Sequence, residues 1–112
     1  VDILFKTKKL QKQCNSQKAL IKAHGPKRAR LIRRRLDEFK AANTLQDIAN
    51  LPGPRCHELT GNRAGHLSVD LDHPYRLLFR PANDPVPRKA DGGLDWSQTT
   101  AIKILEVEDT HE

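Results

Sequence analysis

Residues 55–79 read RCHELTGNRAGHLSVDLDHPYRLLF, and the fold turns on their period. Leu67, Val69 and Leu71 alternate with His66, Ser68 and Asp70. Tyr75, Leu77 and Phe79 alternate with Arg76 and Arg80. Alternation with a period of two marks strands buried on one face. Ahead of them Arg55 to Leu59 is a further strand-like run, in which Cys56 and Glu58 alternate with His57 and Leu59. The breaks at Thr60–Gly65 and at Asp72-His73-Pro74 are rich in turn formers. They are too short for a parallel crossover, so the three strands are expected to form an antiparallel meander.

Upstream the period changes. Thr7 to about Ala23 reads as a helix, with Leu10, Cys14, Leu20 and Ile21 near one face and Gln17 interrupting the stripe. His24-Gly25-Pro26 ends it: Gly suits the position after a helix, and Pro the first turn of the next. The second helix should run from Pro26 to Lys40, burying Ala29, Ile32, Leu36 and Phe39. Lys27, Arg28, Arg30, Arg33, Arg34 and Arg35 fall on its other faces, so the pair is expected to be an antiparallel hairpin with its charge turned outward. Thr44-Leu45-Gln46-Asp47 resembles a capping box for a short third helix ending before Pro52. Asp2–Phe5, DILF, fits a short first strand, and Ala101–Val107 a last one, with Ile102 and Ile104 on one face. Residues 81–98 hold three prolines and a Gly-Gly pair, which predicts a long exposed loop with Trp96 pinning its end. The fold class is therefore α+β: an N-terminal helical hairpin packed on a small antiparallel β-sheet. A single domain is expected over residues 1–112, with a basic helical part at about 7–50 and the sheet at about 55–107.

Charge is divided unevenly. Residues 1–40 hold 13 Lys and Arg against 3 Asp and Glu, and residues 41–112 hold 7 against 11; the two balances, +10 and −4, make up the net +6. A basic half of this kind points to a polyanion or an acidic protein as partner, or to a solvated helical face. No apolar run approaches the roughly 20 residues that span a bilayer, and VDILFKTKKL lacks the long apolar stretch of a secretory signal. Cys14 and Cys56 form no CxxC pair and read as reduced thiols. A cytoplasmic protein is expected, with no membrane partner.

Several chemistries find no support. Cys56, His57, His66, His73 and His111 are potential ligands, but none stands at a metal-binding spacing, so no metal or other cofactor is expected. Gly61 and Gly65 are hairpin residues without the Lys-Ser/Thr of a phosphate loop, and Ser68 lacks a nucleophile elbow. A strand histidine such as His57 is most often a surface or hydrogen-bonded residue. Arg76 interrupts an apolar strand, and either pairs with a carboxylate such as Asp70 or Asp109 or points into a cleft. His57, Arg76 and His111 make chemical sense together. Metal-free RNA cleavage needs a base for the ribose 2′-hydroxyl, a cation for the charge growing on phosphorus and an acid for the departing 5′-oxygen. Histidine can take either proton role, and arginine matches phosphate oxygens in pairs.

Residues 51–79, LPGPRCHELTGNRAGHLSVDLDHPYRLLF, and 102–111, IKILEVEDTH, resemble the HigB-like branch of the RelE/ParE toxins, the toxin halves of bacterial toxin–antitoxin modules. That branch carries roughly L-H-x-L-K-G-D-R-x-G, a W-S-I/V strand, an x-W/Y-R-I-x-F strand and a terminal E-D-Y-H. The resemblance implies a RelE-like fold and a metal-independent endoribonuclease that cuts messenger RNA, usually in the ribosomal A site. It places the strand histidine at His57, the phosphate-binding arginine at Arg76 and the terminal Asp-Tyr-His at Asp109, Thr110 and His111. Arg63 falls in the RNA-binding loop, and the basic helices, with Lys27, Arg30 and Arg34, would face ribosomal RNA. Thr60 replaces the usual Lys, removing a cation, and Thr110 the usual Tyr, removing a ring able to stack on a base. The implied partners are the ribosome with its messenger RNA and a cognate HigA-like antitoxin with a helix-turn-helix. Operator DNA would be met only through the antitoxin complex. Two other functions suit the same sequence: a ParE-like gyrase inhibitor without catalysis, and a degenerate toxin acting only through antitoxin or operator binding.

Overall fold

The computed structural model describes residues 1–109, so Thr110 and His111 lie outside the described residues. Strand β1 (Asp2–Phe5) leads into helix α1 (Lys8–Cys14), whose first turn is capped by Thr7 Oγ1 accepting from the Leu10 N–H at 3.1 Å. The single helix expected over 7–23 breaks here. Ser16 competes for a backbone donor: its Oγ accepts from the Ala19 N–H at 3.1 Å and so starts helix α2 (Gln17–Ala41). The restart changes the register. Cys14 and Leu20 stay buried, while Ile21 is turned out to solvent.

Gly25 then reverses the chain inside α2. Its φ of 81° and ψ of 163° are open to glycine and costly for other residues. Arg33 donates to the Cys14 carbonyl and, at 3.4 Å, to Gln17 Oε1. In an unbroken helix residues 17 and 33 would stand about 24 Å apart. Residues 17–24 and 26–41 are thus the two arms of the expected hairpin. Ala29, Ile32, Leu36 and Phe39 form the buried stripe of the second arm. The expectation that all its cations face outward fails for three of them. Arg35 is buried, donating to the carbonyls of Asp70 (2.7 Å) and Gly53 (3.3 Å) and to Glu38 (2.9 Å). Arg28 pairs with Asp72 at 3.0 Å and lies 3.4 Å over the Tyr75 ring, and Arg33 bonds Cys14 as above. Long cationic side chains here tie helices to the body rather than merely solvating them.

Helix α3 (Leu45–Ala49) is short. Asp47 accepts from the backbone N–H groups of Asn43 and Thr44 at its start. The sheet follows: β2 (His57–Glu58), β3 (Leu67–Asp70), β4 (Tyr75–Pro81) and β5 (Ala101–Asp109), in spatial order β1-β5-β4-β3-β2. The meander is antiparallel as expected, but β1 pairs parallel to β5, Asp2 opposite Ala101. A parallel pair needs a long crossover, and the helices together with the meander supply it. Strand β2 is shorter than expected because Arg55 takes a left-handed φ of 46° and cannot continue the ladder. Strand β5 runs two residues further, to Asp109.

Leu67, Val69, Leu77, Phe79, Ile102 and Ile104 project from one face of the sheet into the helices. Phe39 of α2 meets Phe79 edge-on, 5.0 Å between ring centres. The segment 81–98 is less exposed than its composition suggests. Leu94 is buried, Val86 and Trp96 pack on the core, and Arg88 bridges to Leu94. Among the described residues no helix is long and apolar enough to cross a membrane.

Candidate active site

Strand register decides what stands on the face of the sheet away from the helices. Leu67 pairs with Phe79 and Val69 with Leu77 on the core side, so the residues between them belong to the other side. There His57 faces Ser68, Ser68 faces Leu78 and Leu78 faces Glu106. One step along, Asp70 faces Arg76 and Arg76 faces Glu108. His57 and Arg76, 19 positions apart in sequence, thus meet across three strands.

Their geometry fixes the protonation pattern of the neutral imidazole. His57 Nδ1 lies 2.9 Å from the Arg55 carbonyl oxygen, which can only accept, so Nδ1 carries the proton. Nε2 keeps its lone pair and faces Arg76 Nη1 at 3.5 Å. The left-handed turn at Arg55 is what aims that carbonyl at the ring. Arg76 also has its Nε 3.7 Å from Asp70 Oδ1, so the expected pairing with Asp70 is present. A neutral histidine with an exposed lone pair beside a guanidinium can accept a proton next to a bound anion.

Arg63, on the 3₁₀ turn Gly61–Arg63, donates through both terminal nitrogens to the two carboxylate oxygens of Glu108. The Arg63 hydrogen bonds hold the Glu108 carboxyl below its usual range, burial opposes this, and the charges of Arg63 and Arg76 add to the lowering. Glu108 therefore stays ionised beside Arg76. Thr60 is exposed and precedes that turn, its carbonyl accepting from the Arg63 N–H.

The remaining candidates are placed differently. Asp109 pairs with Tyr75 in the register, on the alternate parity, so it is Glu108 and not Asp109 that stands opposite Arg76. Lys27, Arg30 and Arg34 stay exposed on α2, which packs on the opposite face of the sheet from His57, and Arg34 comes within 3.8 Å of Glu38. His111 and Thr110 lie outside the described residues. Ser68, set aside as a nucleophile, is fully buried beneath His57, and among the described residues its Oγ finds no hydrogen-bond partner. Burial pushes the Cys56 thiol up to about 12, with Glu58 adding to it, which removes it as a nucleophile. Among the described residues no three His, Cys, Asp or Glu side chains gather closely enough to hold a metal ion.

Sequence reasoning missed Glu108 and Arg55. The bulge between Leu78 and Phe79 shifts the pairing with β5, so which of Glu108 and Asp109 shares a face with Arg76 could not be counted from the letters. The non-glycine left-handed residue at 55 carries no compositional mark, although the Pro-Gly-Pro before it signals irregular backbone.

A helical hairpin laid on a five-stranded, mostly antiparallel sheet is the fold of the RelE-like toxins. The family model described as the RelE-like toxin of type II toxin–antitoxin system HigB matches residues 4–89, and the chain belongs to that family of HigB-like toxins. The matched span takes in His57, Arg63 and Arg76 and ends before β5. No curated protein matches the sequence. The chain is thus the toxin type of a two-component module.

Proposed function

We propose that this toxin is an endoribonuclease that cleaves messenger RNA on the ribosome and is silenced by a cognate antitoxin. The observation that carries the reading is the pairing of His57 Nε2 with Arg76 Nη1 on the face away from the helices, with Nδ1 committed to Arg55. His57 Nε2 takes the proton of the ribose 2′-hydroxyl. The freed 2′-oxygen attacks phosphorus, forming the 2′-O–P bond. Arg76 turns from Asp70 to the non-bridging oxygens as their charge grows. The P–O5′ bond breaks, leaving a 2′,3′-cyclic phosphate, and an acid returns a proton to the 5′-oxygen. His111 is our choice for that acid, with Asp109 and Thr110 beside it in sequence. Arg63 and Thr60 guide the chain at the rim, and Lys27, Arg30 and Arg34 add a salt-sensitive contact with ribosomal RNA. The proposed antitoxin carries a helix-turn-helix and is HigA-like.

Cleavage of messenger RNA on translating ribosomes tests this. Wild type should cut, leaving cyclic phosphate ends. His57→Ala, Arg76→Ala and His111→Ala should each lose at least about a hundredfold, the usual worth of a positioned acid or base. No cutting by wild type, or equal cutting by all three variants, refutes the nuclease.

A further inference from the structure

Arg76 belongs to two surfaces at once. Its Nη1 faces His57, and its Nε faces Asp70 in the wall of a separate polar pocket. That pocket has a volume of about 130 Å³ and is lined by Arg55, Asp70, His73, Tyr75 and Arg76. Such a space is well above the roughly 10–15 Å³ that a water needs and admits a compact anion.

Its charge is not balanced from within. Asp70 spans two guanidinium groups, Arg55 Nη1 lying 3.6 Å from Oδ2 and Arg76 Nε 3.7 Å from Oδ1. Formed charge-assisted hydrogen bonds are about 2.7–2.9 Å long, so both contacts are loose. Within the pocket two cations flank one carboxylate, Glu108 standing opposite Arg76 outside its lining, and each guanidinium has five N–H donors to satisfy. One face of the Tyr75 ring is engaged by Arg28 at 3.4 Å. Arg55 is held at a left-handed φ, a costly backbone state of the kind that clusters at ligand-binding positions.

We propose that this pocket is a second phosphate subsite, receiving the phosphodiester next to the scissile one, with Arg55 as its own ligand and Arg76 shared between the two. Asp70 is the placeholder that spans the two guanidinium groups until phosphate oxygens take its place. The subsite sets which phosphate comes to rest against Arg76 and His57, and so fixes the register of the RNA at the cut. The assignment of the phosphodiester rests on the nuclease reading above.

Two measurements separate the inferences. Inorganic phosphate, titrated into the purified protein and followed by the arginine Nε–Hε resonances, should give saturable shifts at Arg55 and Arg76. Arg55→Gln should weaken that binding about tenfold, the worth of one hydrogen bond between charged groups. Arg55→Lys keeps the charge and should recover part of it. Equal phosphate binding by wild type and Arg55→Gln overturns the subsite. The second measurement uses a messenger carrying one uncharged methylphosphonate beside the cleavage site. Wild type should cut it about tenfold more slowly than the parent messenger, as for a lost charged hydrogen bond, and Arg55→Gln should show no such difference. An equal loss in both proteins overturns the subsite while leaving the nuclease intact. If wild type binds phosphate normally but cuts no messenger, the nuclease reading falls, and the phosphodiester falls with it as the ligand.

Discussion

Arg63 grips Glu108 by both carboxylate oxygens across 45 positions of sequence, and so fastens the turn after β2 to the end of β5. Glu108 in turn stands opposite Arg76 on β4. One carboxylate therefore joins the rim of the site to its centre.

The pair makes a pH-dependent difference with a definite sign. The Glu108 carboxyl is depressed in the folded chain, chiefly by the Arg63 hydrogen bonds. Its stabilisation is present above the ordinary carboxylate value of 4.5 and is lost as pH falls through the lower folded value. Urea midpoints of wild type and Glu108→Gln should differ at pH 7 and converge in acid. A gap that stays constant from pH 7 to pH 3 would show that Arg63 does not hold the ionised form.

The ring of His57 should carry its proton on Nδ1 when neutral, because the Arg55 carbonyl cannot donate. Long-range ¹H–¹⁵N spectra of the imidazole distinguish the two tautomers. A proton found on Nε2 would remove the lone pair that faces Arg76.

Arg35 should matter more to stability than to chemistry. It is buried and serves two backbone carbonyls and Glu38. Arg35→Ala should destabilise by about 3 kcal/mol, since it removes the nearer of two cations from a partly buried carboxylate and a donor from two carbonyls. Chemical denaturation measures this directly, and a loss within experimental error would mean that water replaces the guanidinium at no cost.

Gly25→Ala isolates the backbone cost of the hairpin. A Cβ there would meet nothing within 4 Å, so crowding is excluded, yet φ is +81°. The expected loss is about 1–3 kcal/mol, the usual penalty for a non-glycine residue in that region. Thermal melts of the two proteins decide it.

The strands of the meander were legible because each buries one face, and Leu67, Val69, Leu77 and Phe79 write that face into the letters. The hairpin was legible through Gly25-Pro26, where two residues with fixed conformational demands sit together. The break at Asn15–Ser16 was not, since a serine inside a helical pattern gives no notice of whether it caps or merely faces solvent. Nor could six neighbouring cations be sorted. Arg28, Arg33 and Arg35 meet partners as far as 44 positions away, whereas Lys27, Arg30 and Arg34 remain exposed. His57 and Arg76 stood out as polar interruptions of strands. Their common face follows from a short meander, but the face of β5 depended on a bulge that no residue type announces.

The parallel seam of Asp2 with Ala101 and of Phe5 with Ile104 carries a consequence for synthesis. The opening strand must wait for β5, some ninety-five residues later, before either of its edges finds a mate, and closing so long a loop is entropically slow. Until β5 has left the ribosome, β4 also keeps a bare edge, and Glu108 is not there to meet Arg63 or Arg76. A growing chain thus carries its histidine and arginines on a half-built sheet, and the complete face comes into being only after translation has passed residue 108.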